Sequence, residues 1–398
     1  MSIFEQLRPF VSLCQACGMI PYTIENNLIT NKFSRFTFSF RNFTTWWFFL
    51  LFVMDIVVMA MVEYFTVSQS FDLLRAQNVP ITVTILLLVT GMSYFVQIFL
   101  SRWIVLYHHR LRKAIEAIQE AEKLFGEKFI NAQSKNSITK RFVIGNLAVA
   151  IPFYQNFISL ANLNILSATA IIFVAKLCYV LFECAFFFFY MSYYVITYYV
   201  QLLIIRSDEE EEDIVGNQRT SNKASLEMMR TNIRIFNYLC RASQELNTTF
   251  SVPVFILLTA KFISVVTAAF AFIYNYFIRS SAILNSYSSF FCYLFFADWF
   301  KIMVLLAAAD MPVNQVRLFH ERITTKSSLG WSQTLAGKIL MMTSLVQIDE
   351  ERVRLSAAGL FKVGMHLIPA YNDFHSTNKS DYKLAGAVVT YMVILLQN

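Results

Sequence analysis

Charge is what this chain lacks most: Asp, Glu, Lys and Arg make up 15% of its 398 residues, where a soluble domain carries roughly 25%. That deficit excludes an ordinary water-soluble fold. Histidine is scarce too, with five residues, His108, His109, His320, His366 and His375. None falls mid-span beside a carboxylate, as an intramembrane metal or acyl-transfer centre requires. There is no Gly-rich phosphate loop and no G-x-S-x-G elbow, so no motif supports an enzyme and no cofactor or metal is expected. The six cysteines are scattered, and none lies in a loop expected outside the cell, which argues against structural disulfides. Cys14-x-x-Cys17 has metal or redox spacing but no second half. The opening MSIFEQLRPF lacks a basic stretch followed by an apolar core, so insertion is expected to rely on the first span rather than on a cleaved leader.

What the chain has instead is apolar surface. Hydrophobic residues reach 57%, with 40 Phe and 19 Tyr, and the mean hydropathy is +0.51. Crossing hydrocarbon takes about 20 apolar residues. Runs of that kind occupy 46–66, 79–105, 142–160, 165–205, 252–278 and 286–309, with a shorter one at 384–396. Residues 142–206 are long enough for two spans or three; turn-like residues cluster only at Ser159, Asn162 and Asn164, so two spans, the second long and projecting from the bilayer, is the simpler reading.

Charge then orients the set. Segments 1–43, 106–141, 206–251 and 310–383 hold 27 Lys and Arg, and the other connections hold two, Arg75 and Arg279. By the positive-inside rule the former are cytoplasmic. The net charge of +7 therefore tracks topology and gives no reason to expect nucleic acid. The expectation is an all-α membrane protein with seven transmembrane helices, a cytoplasmic N-terminus and an extracellular C-terminus. In 109–133, Leu111, Ile115, Ile118 and Ala121 recur at helical spacing, and 327–363 reads as further cytoplasmic helices, together an intracellular packing domain. Six consecutive acids from Asp208 to Asp213 read as a solvated linker. Sequons at Asn42, Asn247 and Asn378 all fall on the inner side and are expected to stay unmodified.

Ionisable residues inside spans are functional candidates because their burial is costly. Asp55, Lys176, Glu183, Asp298 and Lys301 stand out, beside the basic Arg102 and Lys261 that also lie within spans, and Asp298 and Lys301 stand i, i+3 and can pair locally. Interhelical ion pairing is the bland reading and a ligand cavity or water path the functional one. Aromatic and amide residues at the outer ends suit a small-molecule pocket: Tyr154, Gln155 and Asn156 on the third span, Tyr274, Asn275 and Tyr276 on the fifth, Tyr287 and Tyr293 on the sixth. An interfacial aromatic belt gives the same pattern. At the far end, Thr390, Ile394 and Gln397 fall at i, i+4 and i+7 along one helical stripe.

That ending, Thr390-Tyr391, five apolar residues, Gln397, resembles the signature that closes insect gustatory receptors. Gly18-Met19-Ile20-Pro21-Tyr22 is similar to a motif preceding that family's first span, and Leu355-Ser356-Ala357-Ala358-Gly359-Leu360-Phe361 to the segment before its last helix. The resemblance implies a tetrameric, ligand-gated, non-selective cation channel in the plasma membrane of sensory neurons. It implies four copies of the last helix around a pore, an intracellular anchor domain joining subunits, homo- or heteromeric, and an outward-facing pocket in each. On that basis 1–45 is a cytoplasmic segment, 46–309 carries spans one to six with the pocket, 310–383 holds anchor helices and a loop, and 384–398 is the pore-lining helix. Gln397 becomes a polar pore ring, Ile394 an apolar constriction closing by dewetting, and Tyr391 a packing residue beside Thr390. Asn398 stands where the family has a terminal Phe, and Met392 where sugar-responsive relatives often carry an acid, which favours a non-sugar tastant. The runner-up is an insect odorant receptor. A G-protein-coupled receptor would need the opposite orientation, and a transporter would show an inverted repeat that these spans lack.

Overall fold

The computed structural model describes residues 11–12, 15–16, 18, 21–26, 33–77, 103, 106–126, 188–208, 221–277, 282–328 and 335–367. Among these residues six helices dominate: α1 Phe43–Gln77, α2 His108–Phe125, α3 Phe188–Asp208, α4 Ser221–Phe277, α5 Ala282–Ser328 and α6 Leu335–Gln347. Two short antiparallel hairpins accompany them, β1 Thr23–Asn26 with β2 Phe33–Thr37, and β3 Ser356–Ala357 with β4 Phe361–Lys362. Among the described residues, α3, 227–269 of α4 and 298–325 of α5 are long and apolar enough to cross a membrane, and Phe43–Val57 of α1 is a shorter apolar stretch. The expected spans at 79–105, 142–160 and 384–396, and residues 209–220 of the acidic linker, lie outside the described residues, apart from position 103.

The longest helices ignore the cut between membrane and cytoplasm that hydropathy suggests. With 57 residues, α4 measures ~85 Å at 1.5 Å per residue, and α5, with 47, measures ~70 Å. Each holds one internal proline, Pro253 and Pro312, close to the expected inner edge of its span. Proline cannot donate to the carbonyl four residues back, so each helix continues past a missing rung and gains a point of bending.

The N-terminal motif is a clasp on α1. Gly18 sits at φ +64, and a Cβ there would lie 2.7 Å from Leu51 Cδ1. The left-handed backbone and the missing side chain both require glycine. The buried Thr45 hydroxyl lies 3.1 Å from the Pro21 carbonyl oxygen and 2.8 Å from that of Ser39, and Trp47 Nε1 donates to the Ala16 carbonyl at 2.8 Å. Tyr22 is buried against Phe38, and that burial pushes its phenol above the usual tyrosine range.

The main core joins α2, α3, the N-terminal half of α4, the C-terminal half of α5 and the segment after α6. Leu111, Ile118 and Ala121 of α2 are buried as their spacing requires, together with Ala114, Ala117 and Phe125, while Ile115 packs at the edge. Small alanines let α2 approach its neighbours closely, and Arg112 pairs with Glu116 on the outer face at 2.7 Å. Phe236 of α4 and Phe319 of α5, both fully buried, meet with ring centroids 5.8 Å apart.

One expectation needs correcting. Residues 348–363, read from sequence as helix, form a 3-10 turn at Glu350–Arg352 and then the β3–β4 hairpin. Asp349 caps the turn by accepting from the Glu351 backbone N–H at 3.0 Å. Ala358 (φ 51) and Gly359 (φ 73) then take consecutive left-handed conformations, and the Leu360 N–H closes onto the Ala357 carbonyl at 2.9 Å. Two such residues in a row end any helix.

Candidate functional site

The ionisable residues of the fifth and sixth spans meet in the interior. Lys261 Nζ lies 2.8 Å from Asp298 Oδ1, Ser264 Oγ donates to Asp298 Oδ2 at 2.5 Å, and Lys301 Nζ stands 3.9 Å from Oδ1. All four residues are 1–3% exposed. Removing an ion from water costs several kcal/mol, offset only by tight pairing and further hydrogen bonds, which this carboxylate receives on both oxygens. The local Asp298–Lys301 pair legible in the sequence exists at longer range, while the closer cation arrives from α4. Asp55 of α1 is also buried. Among the described residues no group of three or more His, Cys, Asp and Glu is disposed to hold a metal.

This bridge fixes the register of two antiparallel helices, and the Phe236–Phe319 contact lies on nearly the same register. It therefore levels the outer ends. Tyr274, Asn275 and Tyr287 lie within a few residues of one height, ~20 Å beyond the bridge, and Tyr293 sits about 9 Å deeper, at 1.5 Å per residue. These positions are helix backbone whose side chains fall outside the described residues, as do Tyr154, Asn156, Arg102, Lys176, Glu183 and the whole of 390–398. The proposed pocket and pore residues are thus placed by register and sequence, not by side-chain contact.

At the opposite end lies a dense polar hub that no motif announced. The Asn247 amide accepts from the buried Tyr193 hydroxyl and donates to the Arg354 carbonyl at 3.0 Å. Ser243 Oγ donates to the Val353 carbonyl at 3.2 Å. Arg352 reaches Asn237 Oδ1 and the Gln347 carbonyl, both at 3.0 Å. Tyr199 donates to the Glu122 carboxylate, and Arg206 to the Leu124 carbonyl at 2.8 Å. Outside this hub, Arg317, Glu350, Arg354, Glu351 and Lys362 form a partly exposed ion network. Asn247, notable in sequence only as a sequon, ties α3 to the segment after α6. Asn247→Ala is expected to cost about 1–3 kcal/mol, because it strands the Tyr193 hydroxyl and the Arg354 carbonyl, while the Val353 carbonyl keeps Ser243. Thermal unfolding of the detergent-solubilised chain checks this, and an unmoved midpoint would refute it.

Comparison with known proteins follows the same outline. A family model described as 7tm chemosensory receptor matches residues 7–397. The solved insect olfactory receptor OR5 from Machilis hrabei aligns over 100% of both chains, with a TM-score of 0.63 and 12% identity. The same receptor in complex with eugenol aligns over 100% of both chains, with a TM-score of 0.55 and 11% identity. No curated protein sequence matches significantly. At these identities the structural likeness is one of fold, and it bears out a helical membrane architecture. With that fold and a family match from residue 7 to residue 397, the chain belongs to the 7tm chemosensory receptor family.

Proposed function

We propose that the chain is a gustatory receptor, a ligand-gated non-selective cation channel opened by a small non-sugar tastant in the plasma membrane of sensory neurons. The observation that carries this reading is the carboxyl-terminal stripe Thr390, Ile394, Gln397 in a member of a chemosensory receptor family. A stripe of one hydroxyl, one aliphatic and one amide side chain suits a water-filled axis shared by several subunits. Ile394 closes that axis by dewetting and Gln397 rings it, with Asn398 beside it, while Tyr391 packs outward.

The ligand site sits among Tyr154, Asn156, Tyr274, Asn275, Tyr287 and Tyr293 at the outer ends of the bundle. A fold relative, the Machilis hrabei receptor, is solved in complex with eugenol, which supports a small organic ligand. Assembly as a homo- or heterotetramer is supported by α6, where Ile339, Met342 and Val346 are 58%, 72% and 82% exposed along one face. On a helix expected in the cytoplasm, that stripe has no lipid to cover it.

An odorant receptor is the second reading, favoured by the fold likeness to an olfactory receptor. Current from this chain expressed alone supports the gustatory reading, and current only with a partner subunit supports the odorant one. Replacing Ile394 with Ala is expected to give a constitutive cation leak in a heterologous cell, roughly tenfold above wild type if the lost apolar ring lowers the barrier by about 1.4 kcal/mol. An unchanged resting conductance at equal surface expression would count against Ile394 as the constriction.

A further inference from the structure

The junction between β2 and α1 presents aromatic rings and an arginine on the outer surface. Phe40, Phe43 and Trp46 are each more than half exposed, and Arg41, between the first two, is exposed as well. The turn that carries them is held from behind. The Asn42 N–H donates to the Ser39 carbonyl at 3.0 Å, the Arg41 N–H to Ser39 Oγ at 3.2 Å, and the Asn42 side-chain amide to Thr23 Oγ1 at 2.8 Å. Arg41 thus projects from a fixed backbone. Along α1 the exposed face continues as Leu50, Val53 and Val57. Aromatic rings followed by aliphatic side chains is the order in which a helix passes from headgroups into hydrocarbon.

The start of α2 abuts this junction. The Phe38 ring stacks on His108 with centroids 5.9 Å apart and meets Phe40 at 5.2 Å. Three cations further along α2 are paired: Arg110 with Glu245 of α4, Arg112 with Glu116, and Lys123 with Glu120. His109 and Lys113 fall outside those pairs. They stand i, i+4 on one stripe, in the first two turns after the exposed Leu106. Among the described residues neither they nor Arg41 has a carboxylate partner. The uncompensated positive charge of α2 therefore lies at the end that meets the aromatic rings.

We propose that Arg41, His109 and Lys113 form a docking surface for anionic phospholipid headgroups, with Phe40, Phe43 and Trp46 seated in the interface beside them. The chemistry fits in two parts. Guanidinium, imidazole and ammonium groups donate to phosphate and carboxylate oxygens, and the exposed rings gain apolar cover from acyl chains. A soluble acidic partner would satisfy the cations and leave the rings in water. By the charge distribution this end of α1 is cytoplasmic, the side on which anionic lipid is concentrated. The surface needs no conduction, so a chain that never conducts leaves it untouched.

Quenching of Trp46 tests this in the full-length protein, reconstituted into phosphatidylcholine vesicles with about 20% phosphatidylserine. Two vesicle sets share that composition and differ only in which lipid carries an equal load of brominated acyl chains. The Trp46 signal is the difference between wild type and Trp46→Phe. Brominated phosphatidylserine is expected to quench it roughly threefold more than brominated phosphatidylcholine, the scale of one cation at a charged surface. Arg41→Gln/His109→Gln/Lys113→Gln is expected to bring that ratio to about one, and Arg41→Lys/His109→Lys to keep it. Arg230→Gln/Arg234→Gln/Arg241→Gln removes as many cations from exposed positions on α4. Those lie ~18 Å or more along the helix from Pro253, beyond the ~10 Å reach of a screened charge, so the ratio should stay as in wild type. Equal quenching in the wild type overturns the proposal. So does a ratio that survives the first triple variant or falls with the α4 variant. Absence of quenching by either lipid would show Trp46 covered by protein, a second copy or another segment of this chain, and overturns it too.

Discussion

Asp298→Ala is expected to destabilise the chain by about 3–5 kcal/mol, the largest loss available from a single polar side chain here. The carboxylate accepts from Lys261 at 2.8 Å and from Ser264 at 2.5 Å, with Lys301 at 3.9 Å. Its removal leaves two ammonium groups close together, both almost completely buried, in a medium where like charges repel strongly. The contrast that isolates the cause is the triple variant Lys261→Met/Asp298→Leu/Lys301→Met. Replacing the whole set with apolar residues of similar length removes the desolvation cost as well as the attraction, so stability should stay near wild type or rise. Both are read as the temperature at which the solubilised protein loses its monodisperse elution peak. Equal losses in the two variants would show that shape, not charge, matters at this level of the bundle.

Phe236→Ala is expected to cost about 3–5 kcal/mol as well, for a different reason. The ring is fully buried in the core below the membrane part and packs on Phe319, and its loss opens a cavity that fixed helices cannot close. Truncating the exposed Leu360 to Ala is the matched control, with an effect within about 0.5 kcal/mol. Positions 236 and 298 share no partner: Phe236 lies roughly 38 Å along α4 from Lys261. The two losses should therefore add to within about 0.5 kcal/mol, and strong coupling would show that the long helix relaxes as a unit.

Much of the fold was legible because the forces involved are local or statistical. Hydropathy identified a helical membrane protein, and the period of α2 placed Leu111, Ile118 and Ala121 inward. The continuity of α4 and α5 was not legible, since a composition change at 252 or 309 does not break a backbone whose residues all favour helix. The hairpin at 356–362 escaped notice because its strands are two residues each, too short for any period, and its turn depends on two left-handed residues. The hub escaped for another reason: Asn247 finds its carbonyls at Val353 and Arg354, more than a hundred residues on. Likewise Asp298 advertised Lys301 on its own helix, while its nearer partner is Lys261 on α4. For the pocket and pore residues the sequence remains the evidence, through the stripe at 390–397 and the aromatic positions at the outer ends.

The unbroken run of α4 has a consequence for biogenesis. Ile235, Phe236 and Leu239 belong to a core completed by Phe319 and by Leu355 and Val363, which leave the ribosome roughly 80 to 120 residues later. At about 5–20 residues per second, that apolar face waits for several seconds with no cover. A truncation short of residue 355 leaves that part of the core without its last cover.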